Sequence, residues 1–255
     1  MIYETHTHFD DKAFDNDRDD AVKRAMAAGV TRFINVGSSM ETSRTSIELT
    51  RRYTGFCAAV GVHPEETGDL CEDDMTVLAE YTNDDRVVAI GEIGLDYYWD
   101  EPERDIQKRW FARQLALARK VRLPVIIHSR EAAADTYDIL RSERADEVGG
   151  IMHCYSYGVE MAKQFLDLGF CLGVGGVVTF KNGRKLKEVV EYAPLERIVT
   201  ETDSPYMAPV PMRGKRNSSE YLPFIIEEIA KINGMDAGEV EEVTFNNAVR
   251  IFGNI

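Results

Sequence analysis

The chain is short of cysteine, histidine and positive charge, and each shortage excludes something. Four cysteines occur in 255 residues. Cys57, Cys71, Cys154 and Cys171 are too dispersed for a Cys-x-x-Cys zinc or redox motif, and three of them fall in apolar, strand-like runs. Buried, reduced thiols in a cytoplasmic protein are the expectation. Lys and Arg number 30 against 44 Asp and Glu, a net charge of −14 at pH 7. A field of that sign repels polyanions, which argues against a protein that coats nucleic acid or an anionic membrane. It leaves room for an enzyme whose bound cations reverse the field locally. No window approaches the roughly 20 apolar residues of a membrane span. The opening Met1 to His6 has no basic segment leading into an apolar one, so no secretory signal is expected. Low-complexity tracts, Pro/Gly/Ser-rich linkers and short repeats are also missing, so the reading is one domain over 1–255. Neither a membrane nor an obligate protein partner is inferred.

What is there is a regular alternation of apolar runs and amphipathic stretches, the pattern of a parallel sheet. With 44% apolar and 29% charged residues, a packed core is expected. Eight runs read as strands: Ile2 to His8, Arg32 to Gly37, Phe56 to Val62, Val87 to Glu92, Pro124 to His128, Gly150 to His153, Phe170 to Gly175 and Ile198 to Asp203. The clearest helix is Arg104 to Val121, where Ile106, Trp110, Leu117 and Val121 recur near a 3.6 period and Pro102 suits a first turn. Eight strand–helix units in about 250 residues fit an α/β fold of the (β/α)8 TIM-barrel type, and Glu220 to Ile232 with Ala237 to Phe252 supply extra C-terminal helices. A doubly wound open sheet is the rival.

Barrel enzymes keep their chemistry at the C-terminal ends of the strands. His6 and His8 end the first strand in this reading, His63 the third, Glu92 the fourth, His128 the fifth, His153 the sixth and Asp203 the eighth. All five histidines in the chain, His6, His8, His63, His128 and His153, therefore fall at such ends. His6 and His8, one residue apart, point to the same face of a strand and make a chelating pair; taken alone, Thr-His-Thr-His also reads as a polar edge strand. His128 and His153 follow apolar runs on successive strands, about 4.8 Å apart, and can share an ion. Each alone also fits an ordinary core or loop histidine. Glu92 is a carboxylate inside an apolar run with no basic neighbour to pair it, and burying it unpaired costs several kcal/mol. Asp203 precedes Ser204 and Pro205, where it also fits a turn. Together, His6, His8 and Asp203 can hold one divalent ion, His128 and His153 a second, and Glu92 both. Imidazole plus carboxylate suits Zn²⁺, Mn²⁺, Fe²⁺ or Co²⁺ better than an all-oxygen Mg²⁺ site, with Mg²⁺ retained for an exchangeable position. Two such divalent metal ions lower the pKa of a water and clamp the oxygens of a displacement. That makes a metal-dependent hydrolase, with Asp203 and Glu92 as its catalytic carboxylates and Asp203 orienting or deprotonating the water.

His63, in Gly-Val-His-Pro, is read as a substrate contact donating to a phosphoryl oxygen, against a turn histidine packed by Pro64. Arg130 either faces substrate or pairs with Glu131. Lys181, Arg184 and Lys185 after the seventh strand, and Arg213, Lys215 and Arg216 after the eighth, stand where barrels often bind phosphate; a solvated loop is the plain alternative. Arg213 is taken with His63 and Arg130 as substrate-binding.

Thr5 to Asp10, Gly61 to Pro64, Gly91 to Tyr98, Ile127 to Arg130, His153 to Ser156 and Glu201 to Tyr206 resemble, in order and over nearly the whole chain, the TatD family of metal-dependent deoxyribonucleases. The resemblance implies an amidohydrolase-type TIM barrel that hydrolyses DNA as a 3′ exonuclease or an endonuclease. It carries metal binding to His6, His8, Glu92, His128, His153 and Asp203 and phosphate contact to His63. Two loops depart from the family pattern. His153 to Tyr157 has Tyr155 for the usual phenylalanine and Tyr157 for a glycine, and Arg213 to Ser219 lacks the proline of Arg-Gly-x-x-Asn-x-Pro. The expected partner is DNA as substrate, with Tyr97, Tyr98 and Trp99 able to stack bases or to pack under the next loop. A small-molecule amidohydrolase or esterase is the alternative on the same scaffold, although such relatives commonly bridge their metals with a carboxylated lysine where this chain has Glu92. A metal-binding protein with a degenerate site is the third reading, weakened because all six ligands are present.

Overall fold

The computed structural model describes residues 1–99 and 101–253; the range 1–255 read as one domain includes Asp100, Asn254 and Ile255, which lie outside the described residues. The strands are β1 (Ile2–Thr7), β2 (Val30–Val36), β3 (Phe56–Val60), β4 (Val87–Asp96), β5 (Val125–Arg130), β6 (Gly150–Met152), β7 (Cys171–Val174) and β8 (Ile198–Thr200). They pair in parallel in chain order. The seam between β8 and β1 is closed by a Thr7–Ser204 bridge and by His8 N–H donating to Ser204 O and Asp203 N–H to His6 O, both at 2.9 Å. This is the expected (β/α)8 barrel. The crossover helices are α1 (Arg18–Ala27), α2 (Met40–Arg52), α3 (Glu72–Tyr81), α4 (Arg104–Val121), α5 (Ala133–Ser142), α6 (Val159–Asp167) and α7 (Arg184–Tyr192), followed by α8 (Leu222–Asn233) and α9 (Ala237–Phe252).

Local chemistry sets these elements. α2 starts at a capping box in which Ser39 Oγ accepts from Thr42 N–H while the Thr42 side chain returns to the Ser39 N–H. α4 covers the expected residues, with Asp105 in its first turn, Arg119 and Lys120 in its last, and Arg122 closing it in the left-handed region. Pro102 is displaced from the expected first turn: it lies before the N-cap Glu103, and its carbonyl accepts from Gln107 Nε2.

Two layers of apolar side chains result. The larger lies between strands and helices and includes Phe33, Phe56, Leu95, Phe111 and Phe165. The smaller packs the barrel interior with Ile34, Cys57, Ala59, Ile126, Ile151 and Val199. α9 seals the interior from the end opposite the site, with Phe245, Ala248 and Phe252 packed on this inner cluster and Phe245 and Phe252 tilted against Tyr3. Asn247 Nδ2 ties the helix down by donating to the carbonyls of Leu195 and Ile198.

The strand ends differ from the sequence expectation where the site lies. β4 does not stop at Glu92 but continues to Asp96, pairing Gly94, Leu95 and Asp96 with His128, Ser129 and Arg130. Gly94 permits this, because a Cβ there, at φ +147°, would lie 1.9 Å from His128 O. β8 is shorter than expected. Glu201 to Asp203 leave the ladder, and Asp203 adopts φ +55°, a conformation aspartate tolerates better than most residues. Bulges mark β1 and β4: between Glu4 and Thr7, three steps of β1 oppose two of β2, and between Ile90 and Ile93, three of β4 oppose two of β5. Bulges re-aim side chains, and here they fall on His6 and Glu92. The thiol expectation holds in part: Cys57 and Cys171 are buried, Cys154 is half-buried and Cys71 is exposed at the start of α3, where its N–H and thiol both meet Asp74.

Candidate metal centre

The bulged β1 delivers His6 and His8 side by side, with their Nε2 atoms 3.1 Å apart. His8 Nδ1 donates to Val36 O at 2.9 Å. That commitment leaves His8 Nε2 a bare lone pair in the neutral ring, facing a second imidazole nitrogen, and only a proton or a cation between them relieves the repulsion. Asp203 Oδ1 stands 3.5 Å from His8 Nε2, 3.8 Å from His6 Nε2 and 3.6 Å from His153 Nε2. Glu92 Oε2 lies 3.3 Å from His6 Nε2, while its Oε1 lies 2.8 Å from His128 Nδ1 and 3.8 Å from His153 Nε2. The structure thus brings His6, His8, Glu92, His128, His153 and Asp203 around one space, with the two Glu92 oxygens turned to different histidines. His6, His8 and Asp203 form one group able to hold a cation, and His63, Glu92 and His128 another. A converging set of imidazole nitrogens and carboxylate oxygens fits a divalent transition metal.

Burial and mutual charge set the protonation of this cluster. Burial works against charging His8, but the Asp203 carboxylate more than offsets it and holds the ring at about 9. His128 reaches about 9 against burial by bonding Asp96 and Glu92, and His153 reaches about 9 beside Glu201, Glu92 and Asp203. His6, stacked on His153 with ring centroids 3.4 Å apart, is lowered by burial and by that neighbour. Burial opposes ionising Glu92 and Asp203, yet the surrounding histidines keep both below the usual carboxylate range.

Three buried acids not singled out from the sequence stand behind this cluster. Asp96 Oδ2 accepts from His128 Nε2 at 2.9 Å, which turns Nδ1 towards Glu92. Glu201 Oε1 lies 3.1 Å from His153 Nδ1, at a poor angle for a hydrogen bond, and accepts from Cys154 N–H at 2.5 Å. Gly173 makes room for it, since a Cβ there would meet Glu201 Oε2 at 2.4 Å. Glu4 accepts from Thr202 N–H and Oγ1 at 2.8 and 2.6 Å; burial pushes it up to about 8 although these bonds pull the other way. No local signal marked them: Asp96 lies past the expected end of β4, and Glu4 and Glu201 lie within runs read as strand.

The centre opens into a cavity of about 1080 Å³ whose wall includes His63, Arg130, Ser129 and Tyr206. His63 Nδ1 accepts from Glu65 N–H at 3.2 Å, so its proton sits on Nε2, 3.8 Å from Glu92 Oε1. Burial, with His128 beside it, pulls His63 down to about 3 and keeps it neutral. Arg130 stacks over Tyr98, its guanidinium carbon 3.7 Å from the ring centroid, rather than pairing with Glu131. The basic residues after β7 and β8 are not among the wall residues described. Arg213 lies over Phe180, Arg216 is forked onto Asp17 and lies over Phe14, and Arg184 pairs with Glu188. In that loop Asn217 does the holding, bonding the carbonyls of Thr202 and Tyr206. Tyr157 ties two mouth loops together through Ser129 Oγ and Ala132 N–H. Tyr97 is turned away to Asp135, with Arg104 over its ring.

A TIM barrel with a histidine–carboxylate cluster at the C-terminal mouth of its strands defines a metal-dependent hydrolase. The family model for TatD-related DNases matches residues 3–253, and the chain belongs to that family. A Bacillus subtilis metal-dependent hydrolase, YabD, described as uncharacterized, is 42% identical over 99% of both chains. A Cronobacter sakazakii protein named 3′-5′ ssDNA/RNA exonuclease TatD is 33% identical over 94% of this chain and 93% of its own. The crystal structure of the TatD homologue YjjV from Escherichia coli K12 superposes with a TM-score of 0.94 at 30% identity, covering 100% of this chain and 98% of that one. No helix among the described residues is long and apolar enough to cross a membrane.

Proposed function

We propose that this chain acts as one hydrolase domain that cleaves phosphodiester bonds of DNA, working inward from a 3′ end. The observation that carries the reading is His63: a half-buried, neutral imidazole whose only N–H proton points from Nε2 into the cavity beside Glu92 and His128. A neutral N–H donor suits an anionic phosphoryl oxygen and keeps donating through neutral pH. His6, His8 and Asp203 would hold one divalent cation, His128 and His153 a second, and Glu92 both. Bound there, divalent ions supply the positive charge that neutralises a phosphate and makes water nucleophilic near neutral pH. Asp203 orients the attacking water and accepts its proton. Glu92 fixes the spacing of the two histidine groups. Arg130 steadies the phosphate from the wall, and Arg213, in the outer loop, meets the strand farther on. The name of the Cronobacter relative, a 3′-5′ ssDNA/RNA exonuclease, supports a single-stranded substrate and extends the proposal to RNA. The cytoplasmic setting expected from the sequence belongs to the same proposal.

The test is a metal-reconstituted assay with Mn²⁺, Zn²⁺, Co²⁺, Fe²⁺ and Mg²⁺ in turn on single-stranded DNA, duplex DNA, RNA, phosphomonoesters, amides and lactones. Stepwise loss of nucleotides from a 3′ end is the expected result. Hydrolysis confined to amides or lactones would instead make this a small-molecule hydrolase.

A further inference from the structure

Large hydrophobic side chains left exposed are informative when they cluster. Four of those found here stand on just two loops. Tyr98 and Trp99, 50% and 53% exposed, follow β4; Tyr206 and Met207, 53% and 37% exposed, follow β8. In a ring of eight strands joined in chain order, β4 and β8 face each other across the mouth, so the two pairs flank the metal centre from opposite sides. Each is built onto the cavity. Tyr98 carries Arg130, a wall residue, on one face and meets the Trp99 ring edge-on at 4.8 Å. Tyr206 and Met207 lie on the wall itself, with the Tyr206 ring 6.4 Å from that of His8 and its hydroxyl bonded to Asp11. Between the pairs the rim is acidic, with Asp10, Asp11, Glu41, Glu65 and Glu66 against Lys12 and Arg130.

An acidic rim disfavours a duplex laid across the mouth, where many phosphates would approach carboxylates at once. A single strand offers an alternative grip through its bases, whose π-faces stack on aromatic side chains without sequence preference. Resting on the nuclease reading above, we propose that Tyr98–Trp99 and Tyr206–Met207 are two base-stacking jaws. They take unpaired nucleobases on either side of the scissile phosphate and so select single-stranded ends.

Trp99 is one of two tryptophans, and the other, Trp110, is buried at 3% exposure, so indole emission reports on the first jaw directly. The full-length chain, loaded with Mn²⁺, is titrated with a fluorescently labelled, hydrolysis-resistant phosphorothioate oligodeoxyadenylate. The expected result is saturable quenching that disappears in Trp99→Phe. Trp99→Ala and Tyr206→Ala should each raise the Kd read from anisotropy of the label by about 5- to 150-fold. On a strand abasic at the positions flanking the cleavage site, Trp99→Ala should bind as the unaltered chain does. Strand binding that leaves indole emission unmoved overturns the proposal, as do variants that bind as tightly as the unaltered chain. Quenching and weakened binding as expected, with no cleavage of the corresponding phosphodiester strand, would leave the jaws standing and remove the nuclease reading.

Discussion

Replacing Asp96 by Asn gives a sharp test of how the centre is held. Both carboxylate oxygens accept: Oδ2 from His128 Nε2 and Oδ1 from Tyr98 N–H, each at 2.9 Å. An asparagine has one acceptor for these two donors. If its NH2 faces His128, Nε2 must accept and the ring proton moves to Nδ1, the atom that faces Glu92 and would otherwise offer its lone pair to a metal. If the amide turns over, Tyr98 N–H loses its partner instead and the loop bearing the aromatic pair is released. Loss of an outer carboxylate behind a metal-binding histidine costs about 10- to 100-fold in metal affinity or activity, or about 1.4 to 2.7 kcal/mol at 1.36 per tenfold. Folding should suffer less, since shape and volume are kept. The assay pairs metal titration, followed by elemental analysis of the dialysed protein, with kcat/KM on a single-stranded oligonucleotide. Asp96→Asn should raise half-saturation by metal and lower kcat/KM together. A variant with unaltered metal content and rate would refute the positioning role of Asp96 and the use of His128 Nδ1 towards the metal.

Other outcomes follow from the same geometry. Glu92→Ala or Asp203→Ala should abolish hydrolysis, with a loss of at least about 100-fold, while far-ultraviolet circular dichroism stays that of the unaltered chain; retained turnover would remove the mechanism. His63→Ala should raise KM for phosphodiesters by about 10-fold, the loss of one hydrogen bond to a charged group, at unchanged metal content; loss of stoichiometric metal would make His63 a ligand. Adding metal at about 100 times its Kd should stabilise the chain by about 2.7 kcal/mol, reversed by a chelator, and the gain should shrink as acid protonates the ligands. Asp17, held at about 2 mainly by its Arg216 bonds, with burial opposing and Arg24 helping, has a depressed folded value. Its contribution is therefore present above the ordinary value of 3.8 and lost as pH falls towards 2. Urea unfolding of Asp17→Asn should show a deficit of about 0.5 to 1 kcal/mol at pH 6 that vanishes near pH 2; a deficit independent of pH would mean the ion pair is not its source.

Much of the architecture was legible because buried parallel strands announce themselves as apolar runs and the chain alternates them regularly with helices. The convergence of His6, His8, Glu92, His128, His153 and Asp203 was legible for a different reason: several polar residues ending successive apolar runs have few structural uses together. What stayed hidden depended on partners far apart in sequence. Asp96 looked like the start of a loop, because only its pairing with Arg130 across Gly94 extends β4 that far. Glu201 and Glu4 lie in stretches read as strand, where nothing local reveals that their partners are His153 and Thr202. The basic residues after β7 and β8 could not be sorted from sequence, since whether an arginine faces a cavity or an aspartate is decided by tertiary contact. Arg216 is spent on Asp17, almost 200 residues away, and Arg213 lies over Phe180.

The floor of the barrel has a consequence for biosynthesis. The inner cluster is assembled from strands that begin with β1 and end with β8, yet its lower face is covered, among the described residues, by α9, which follows all eight strands in the chain. Until Phe245, Ala248 and Phe252 are delivered, Tyr3 and its inner neighbours face solvent, and Asn247 has not yet engaged the carbonyls beneath β8. His6 and His8 on β1 are thus translated before the helix that closes the barrel beneath them. A nascent chain stalled before α9 should carry all six residues of the histidine–carboxylate cluster without the closed barrel that brings them together, and pulse proteolysis of such arrested chains should find β1 accessible until α9 emerges.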